Sequence, residues 1–319
     1  MTSTTSGEFE LIARYFQNWP SFHTSNTSIQ IPNGDDCLVF KSESPIAISV
    51  DTLVENVHFL SSSPAHGVGY RALASSVSDL IAMGAKPIFF TLAITFCKDE
   101  VWLEQFSQGL KQAAQDFKID LLGGDTTKTK LKNASVITIQ VHGECETPIQ
   151  RKGAKAGDLI CVTGNIGNAG AAVELLEQTE LNEDQHALLN SFYYPKPPAH
   201  LLPELANKAT SAIDISDGLL QDLLHLCRHS QLQACLEVDH LPLSSAIKNE
   251  HDHKQAQKFA LTGGDDYQVC FTIDAKHQQW IEDNHITVIG NMQTGLVDIV
   301  DTKSESITAQ FSKLGYQHF

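Results

Sequence analysis

The sequence predicts an α/β protein, built of α+β layers and divided into two domains. At 319 residues it has about twice the length of a common single domain, and 42% hydrophobic residues are enough for a real core. Helix-period and strand-like apolar stretches alternate along it, the pattern of layered helix and sheet. Midway, at 146–157, the polar and basic stretch ETPIQRKGAKAG interrupts the alternation and reads as a linker.

In chain order, residues 7–18 place Phe9, Ile12, Ala13 and Phe16 on one helical stripe. Cys37–Phe40 and Ile46–Val50 follow as short strands bordered by acids. Pro64–Ala85 reads as a long helix and Phe89–Phe96 as a buried strand. Asp99–Phe117 is an amphipathic helix carrying Trp102, Leu103, Phe106, Leu110 and Ala114. Ile119–Leu122 and Val136–His142 are strands. Beyond the linker come strand Leu159–Thr163, a small-residue helix from Gly167, and a helix-rich stretch punctuated by Pro195, Pro197 and Pro198. Ile213–Ile215 ends a strand, Gly218–Arg228 is a helix, and Tyr267–Ile273 and Ile286–Ile289 are strands.

Composition narrows the function. Twenty-two Lys and Arg against 38 Asp and Glu leave a net charge of −16. A nucleic-acid binder needs a basic face to displace counterions, so no nucleic-acid partner is expected. The start lacks a basic segment followed by an apolar core, and the longest nearly apolar run, Pro87–Cys97, is too short to span a membrane. Seven scattered Cys without a CxxC pair read as reduced thiols of a cytoplasmic protein.

The informative feature is where the acids sit. GDD at 34–36, VDT at 50–52, GGD at 123–125, DISDG at 214–218 and GGDD at 263–266 all lie at strand or helix ends. Such acids also mark turns and caps, and Asp217 reads equally as a helix cap. Asp79 is different: it stands inside the apolar helical stretch ALASSVSDLIAMGA, where burial is costly unless the carboxylate is paired or bound to metal. Several carboxylates converging would need cations, and an oxygen-rich, water-accessible set suits Mg²⁺. The glycine stretches GGDTT and TGG offer backbone N–H groups to phosphates.

Other motifs say less. No G-x-x-x-x-G-K-[ST] occurs, so a P-loop is excluded, and the GNIGNAG stretch at 164–170 has G-x-x-G-x-x-G spacing rather than that of a dinucleotide site. His225 and His229 are spaced to share a helix face but lack the HExxH glutamate, and they read as a solvated face. Ser216 is not in a G-x-S-x-G setting. Arg151, Lys152 and Lys155 form a basic island that is either a solvated linker or a clamp on nucleotide phosphates.

GEFELIARYF, GDDCLVF, SVDTLVENVHF, ALASSVSDLIAMGAKP, LLGGDTT, RKGAKAGDLICVTG, SAIDISDGLLQDL, LTGGDDYQVCFT and the terminal GYQHF occur in the order and spacing of the thiamine-monophosphate kinases, which this sequence resembles over nearly its whole length. That family shares a superfamily with aminoimidazole ribonucleotide synthetase and selenophosphate synthetase. The resemblance implies a homodimer, an N-terminal ATP- and Mg²⁺-binding and dimerisation domain (1–148) like that of aminoimidazole ribonucleotide synthetase, and a C-terminal α/β domain (149–319). It implies transfer of the ATP γ-phosphoryl group to thiamine phosphate, with several Mg²⁺ ions and no side-chain nucleophile. It assigns Asp36, Ser49, Asp51, Asp79, Asp125, Asp214 and Asp217 to metal. Gly124, Asp125, Arg151 and Ser216 go to ATP, and His58, Asp265 and Tyr316 to thiamine phosphate. Two positions depart from the family pattern: Val50 stands where many members have Thr, and Asp265 replaces the Glu of GGEDY. A related synthetase that activates selenide would need a reactive Cys near the N-terminus, and residues 1–34 contain none. A non-catalytic nucleotide or thiamine sensor would not need a full set of metal ligands.

Overall fold

The apolar run near residue 90 becomes an inner strand of the first of two units. In the computed structural model, which describes residues 8–17, 19, 21–22, 27–31 and 37–316, the chain divides into Met1–Leu80 with Lys86–Glu146, and Ile81–Ala85 with Thr147–Phe319.

The first unit contains α1 (Glu8–Tyr15), β1 (Thr27–Ile31), β2 (Val39–Ser42), β3 (Ile46–Val54), α2 (Ala65–Ala82), β4 (Lys86–Phe96), α3 (Glu100–Phe117), β5 (Asp120–Lys128) and β6 (Val136–Glu144). Its main sheet has the order β3-β6-β4-β5; β6 is antiparallel to β3 and β4, and β4 is parallel to β5. Leu73, Val77, Leu80, Leu103, Phe106, Leu110 and Phe90 are all buried and fill its core. Each such side chain contributes roughly 1.5–3 kcal/mol by leaving water. α3 begins where Asp99 accepts the Trp102 N–H at 2.9 Å. The ribbon β1-β2 rests on a small cluster of Ile88, Phe89 and Leu122, with Phe40 edge-on to Phe89 at 5.0 Å.

The second unit contains β7 (Leu159–Val162), α4 (Asn168–Ala172), α5 (Glu183–Tyr193), α6 (Leu202–Lys208), β8 (Ala209–Asp214), α7 (Leu219–Ser230), β9 (Gln233–Leu236), α8 (Ser245–Glu250), α9 (His253–Thr262), β10 (Val269–Ile273), α10 (Gln278–Asp283), β11 (Thr287–Gln293) and β12 (Ile299–Asp301). Six strands run in the order β12-β9-β11-β7-β10-β8. All neighbours are antiparallel except β12 and β9. α4, α5, α7, α8 and α9 pack a continuous apolar core with this sheet, built on Ile160, Val162, Leu188, Leu223, Ile247 and Ala260.

One expectation is corrected. The stretch GGDTT does not follow the strand read at Ile119–Leu122 but is part of β5, paired with β4 through Leu92 and Gly124. A Cβ on Gly124 would stand 1.9 Å from the Leu92 carbonyl oxygen, beside a register irregularity in β4. Glycine is required there by the neighbouring strand.

Candidate active site

In the first unit, β3 alternates. Ser49 and Asp51 turn toward α2, while Ile48 and Val50 project from the other face, each 55% exposed. Any metal contact at Val50 therefore needs its carbonyl, not its side chain. The Ser49 hydroxyl donates to Oδ2 of Asp79, which α2 carries in its last turn. Asp51 stands close to the same acid: its Oδ2 is buried without a hydrogen-bond partner. Burial first, then the charge of Asp79, pushes its carboxyl up to about 6, against a pull downward from Ser76. A buried carboxylate with an unsatisfied oxygen beside a second carboxylate fits a cation ligand.

Among the described residues no three His, Cys, Asp or Glu side chains form a metal cluster by themselves. The Ser49, Asp51 and Asp79 set supplies few oxygens, which suits an ion that takes its remaining ligands from water and phosphate. Asp36 lies outside the described residues. Asp125 is exposed on β5, at the opposite edge of the sheet from β3, and accepts from the Thr127 hydroxyl at 3.2 Å. Three strand spacings, roughly 14 Å, separate those edges, so this unit does not bring Asp125 to the Ser49–Asp51 strand. Gly124 precedes it, also exposed. His58 closes the turn after β3; its Nδ1 accepts the Val54 N–H at 2.9 Å. That contact fixes the neutral tautomer with the proton on Nε2. Buried Arg71 donates to the His58 carbonyl.

The second unit gathers its candidates more tightly. Asp214 ends β8, 5% exposed, and the chain turns through Ser216 and Asp217 into α7. The Ser216 carbonyl accepts the Asp265 N–H at 2.9 Å, and the Asp217 carbonyl accepts the Tyr316 N–H at 2.9 Å. A Cβ on Gly264 would lie 2.4 Å from the Ser216 oxygen, so the TGGDD glycine lets two segments of backbone touch. Asp265 and Tyr267 both have left-handed backbone, φ 67° and 51°. For a bulky Tyr this costs on the order of 1–3 kcal/mol, and the Tyr267 hydroxyl in turn holds Oδ1 of Asp265 at 2.8 Å. The Asp265 carboxylate is thus oriented despite being one methylene shorter than Glu.

Tyr316 is exposed. Arg151, Lys152 and Lys155 are exposed too, and the charge of Arg151 acts after burial to hold the His225 imidazole below its usual range. His225 is half-buried rather than part of a fully solvated face, and its carbonyl is bonded by the His229 ring at 2.8 Å.

Two further acids shape this unit: Asp222, which the sequence reading did not single out, and Asp266, which it placed in GGDD without a role. Asp222, in α7, accepts the N–H groups of Ser216, Asp217 and Gly218, so Asp217 is not the cap of this helix. Burial, then Asp214 and Asp217, push the Asp222 carboxyl well above the usual range, while the N–H donors pull it down. Asp266 accepts the Gly167 N–H at 2.6 Å and the Ala169 N–H at 3.3 Å, so a side chain of the protein itself occupies these two amides at the start of α4. The signal for Asp222 was present in LLQDLL, an acid inside an apolar run.

Residues 34–145 match the AIR synthase related protein, N-terminal domain, and residues 155–317 the AIR synthase related protein, C-terminal domain. Fold and site thus define a two-domain α/β protein of the AIR synthase related class. Thiamine-monophosphate kinase of Haemophilus influenzae is 41% identical over 281 residues, covering 86% of this chain and 84% of its own length. Thiamine-monophosphate kinase from Stenotrophomonas maltophilia superposes with a TM-score of 0.80 at 32% identity, over 87% of this chain and 92% of that one. AaThiL complexed with AMPPCP and TMP gives 0.78 at 30% identity, over 86% and 87%. The chain belongs to the thiamine-monophosphate kinase family and is an enzyme.

Proposed function

We propose that this enzyme transfers the γ-phosphoryl group of ATP to thiamine phosphate, giving thiamine diphosphate and ADP, by direct in-line displacement assisted by Mg²⁺. The observation that carries the chemistry is the pair Asp51 and Asp79, with a buried, unpartnered carboxylate oxygen beside a second acid. A relative with AMPPCP and TMP bound supports the two substrates. Asp36, Ser49, Asp51 and Asp79 would hold Mg²⁺, Asp125 would hold a further ion at the opposite edge of the sheet, and Asp214 and Asp217 would be metal ligands of the second unit. When bound, the metal neutralises the phosphates and the charge that develops on the leaving oxygen.

The remaining work falls to positioning. Gly124 and Asp125, Arg151 and Ser216 bind the nucleotide. His58 donates its Nε2 proton to the thiamine phosphate. Asp265 and the Tyr316 ring face the cationic, aromatic vitamin. The acceptor is a phosphate oxygen, largely ionised near neutral pH, so no general base and no enzyme nucleophile is needed.

The exposed Ile48 and Val50 of edge strand β3 support a homodimer formed by the N-terminal domain, 1–148, with 149–319 as the C-terminal domain. Seven free cysteines support work in the cytoplasm, and no described helix is long and apolar enough to cross a membrane.

Incubation with thiamine phosphate and Mg·ATP is expected to yield thiamine diphosphate and ADP in equal amounts, with inversion at a chiral γ-phosphorus; retention would point to a covalent intermediate. Asp79→Asn or Asp125→Asn is expected to abolish turnover with the fold intact. Near-normal turnover of both at saturating Mg²⁺ would overturn the metal assignment.

A further inference from the structure

Asp222 is 3% exposed, and its Oδ2 accepts three consecutive backbone N–H groups, from Ser216 at 3.2 Å, Asp217 at 3.2 Å and Gly218 at 3.1 Å. Consecutive amides converging on one point form a nest of the kind that cradles phosphate. Here the chain fills the nest itself. With those amides occupied, Ser216 and Asp217 offer their carbonyls to the Asp265 and Tyr316 N–H groups, each at 2.9 Å. Gln221, the preceding residue, donates its amide to Oδ2 of Asp217 at 2.9 Å and to the Tyr316 carbonyl at 3.2 Å. Two segments far apart in sequence, at 265 and at 316, are therefore tied to one turn of backbone, and Asp222 is the group beneath it.

We propose that Asp222 is a positioning residue for phosphoryl transfer: through the filled nest it holds Ser216, Asp217, Asp265 and Tyr316 in one geometry, and Gln221 clasps the same assembly from outside. The proposal rests on the assignment of those four residues to the nucleotide, metal and thiamine phosphate. An ordinary capping residue would change only the stability of α7, leaving substrate affinity untouched.

The test uses full-length Asp222→Asn and Gln221→Ala. Asp222→Asn keeps the volume but replaces a carboxyl oxygen with an amide NH2 that cannot accept and so weakens the acceptor beneath three amides, and the KM for thiamine phosphate is expected to rise about tenfold, more than kcat falls. Gln221→Ala is expected to raise the same KM about threefold with an unchanged thermal midpoint. Amide hydrogen exchange, read without substrate, is expected to quicken about tenfold or more at residues 215–218 and 265–268 in Asp222→Asn, with the rest of the chain unmoved. A KM within about twofold of the parent in both variants, or unchanged exchange at those residues, overturns the proposal. If Asp222→Asn does not fold, the KM of Gln221→Ala decides. Should the parent enzyme make no thiamine diphosphate, the functional reading fails, while the exchange measurement still tests the nest.

Discussion

Asp266 shows how one residue couples the stability of the fold to pH. Burial pushes its carboxyl from an ordinary 3.8 up to about 7, against the N–H donors of Gly167 and Ala169. The folded chain then binds this proton more tightly than the unfolded one. Its contribution to stability is complete below about pH 4 and is lost as pH rises toward about 7. Asp266→Asn is expected to flatten that slope, by up to about 1.4 kcal/mol per pH unit in this window. Urea unfolding of parent and variant at several pH values measures it; equal slopes would remove the claim. At this scale the sequence was legible where chemistry and pattern disagreed. Asp79 stood out because an acid interrupted an apolar helix, and the structure places it against Ser49 and Asp51. Asp222 carried the same signal but passed as one polar position in an amphipathic helix. What it bonds to is backbone, which sequence does not display.

At the scale of elements, long apolar patterns were readable. α2, β4 and α3 fall where periodicity places them, within about three residues at each end. β5 runs longer than its apolar residues suggest, because the partner strand β4 dictates the pairing of Gly124. β9 and β12 are four and three residues long, too short for any period to emerge. α9, His253–Thr262, begins in a polar stretch and is started by Asp252 accepting the Gln255 N–H. The exposed face of β3 carries its own prediction. Val50→Lys places a charge among the apolar side chains proposed to meet a second copy, and sedimentation is expected to show a monomer. Because Val50 is already exposed, stability is expected to change by no more than about 0.5 kcal/mol. A variant that sediments like its parent would refute the assigned interface.

For the molecule as a whole, the net charge of −16 must be squared with two anionic substrates. Part of that charge stands at Asp51, Asp79, Asp214 and Asp217, where burial first and then nearby carboxylates raise the pKa of Asp51 and Asp222. Removing divalent ions with a chelator is expected to weaken nucleotide binding at least about tenfold, and added salt to recover part of the loss by screening. Calorimetric titration with and without the chelator checks this; equal affinities would mean that the acids do not face the nucleotide. Two-domain organisation was legible because the linker and the change of pattern are local features. The pairing of Ser216 with Asp265 and of Asp217 with Tyr316 was not, since it depends on chain segments meeting across about 50 to 100 positions.

The alternation along β3 has a consequence for how this gene can change. Odd-numbered Ser49 and Asp51 serve one face and even-numbered Ile48 and Val50 the other. Insertion or deletion of a single codon between 46 and 51 would exchange the two sets, turning the hydroxyl and the carboxyl outward and apolar side chains toward the acid of α2. Point substitutions spoil one role at a time, but a shift in parity spoils both. Length variation among natural versions should therefore gather in the surface connections and spare this strand.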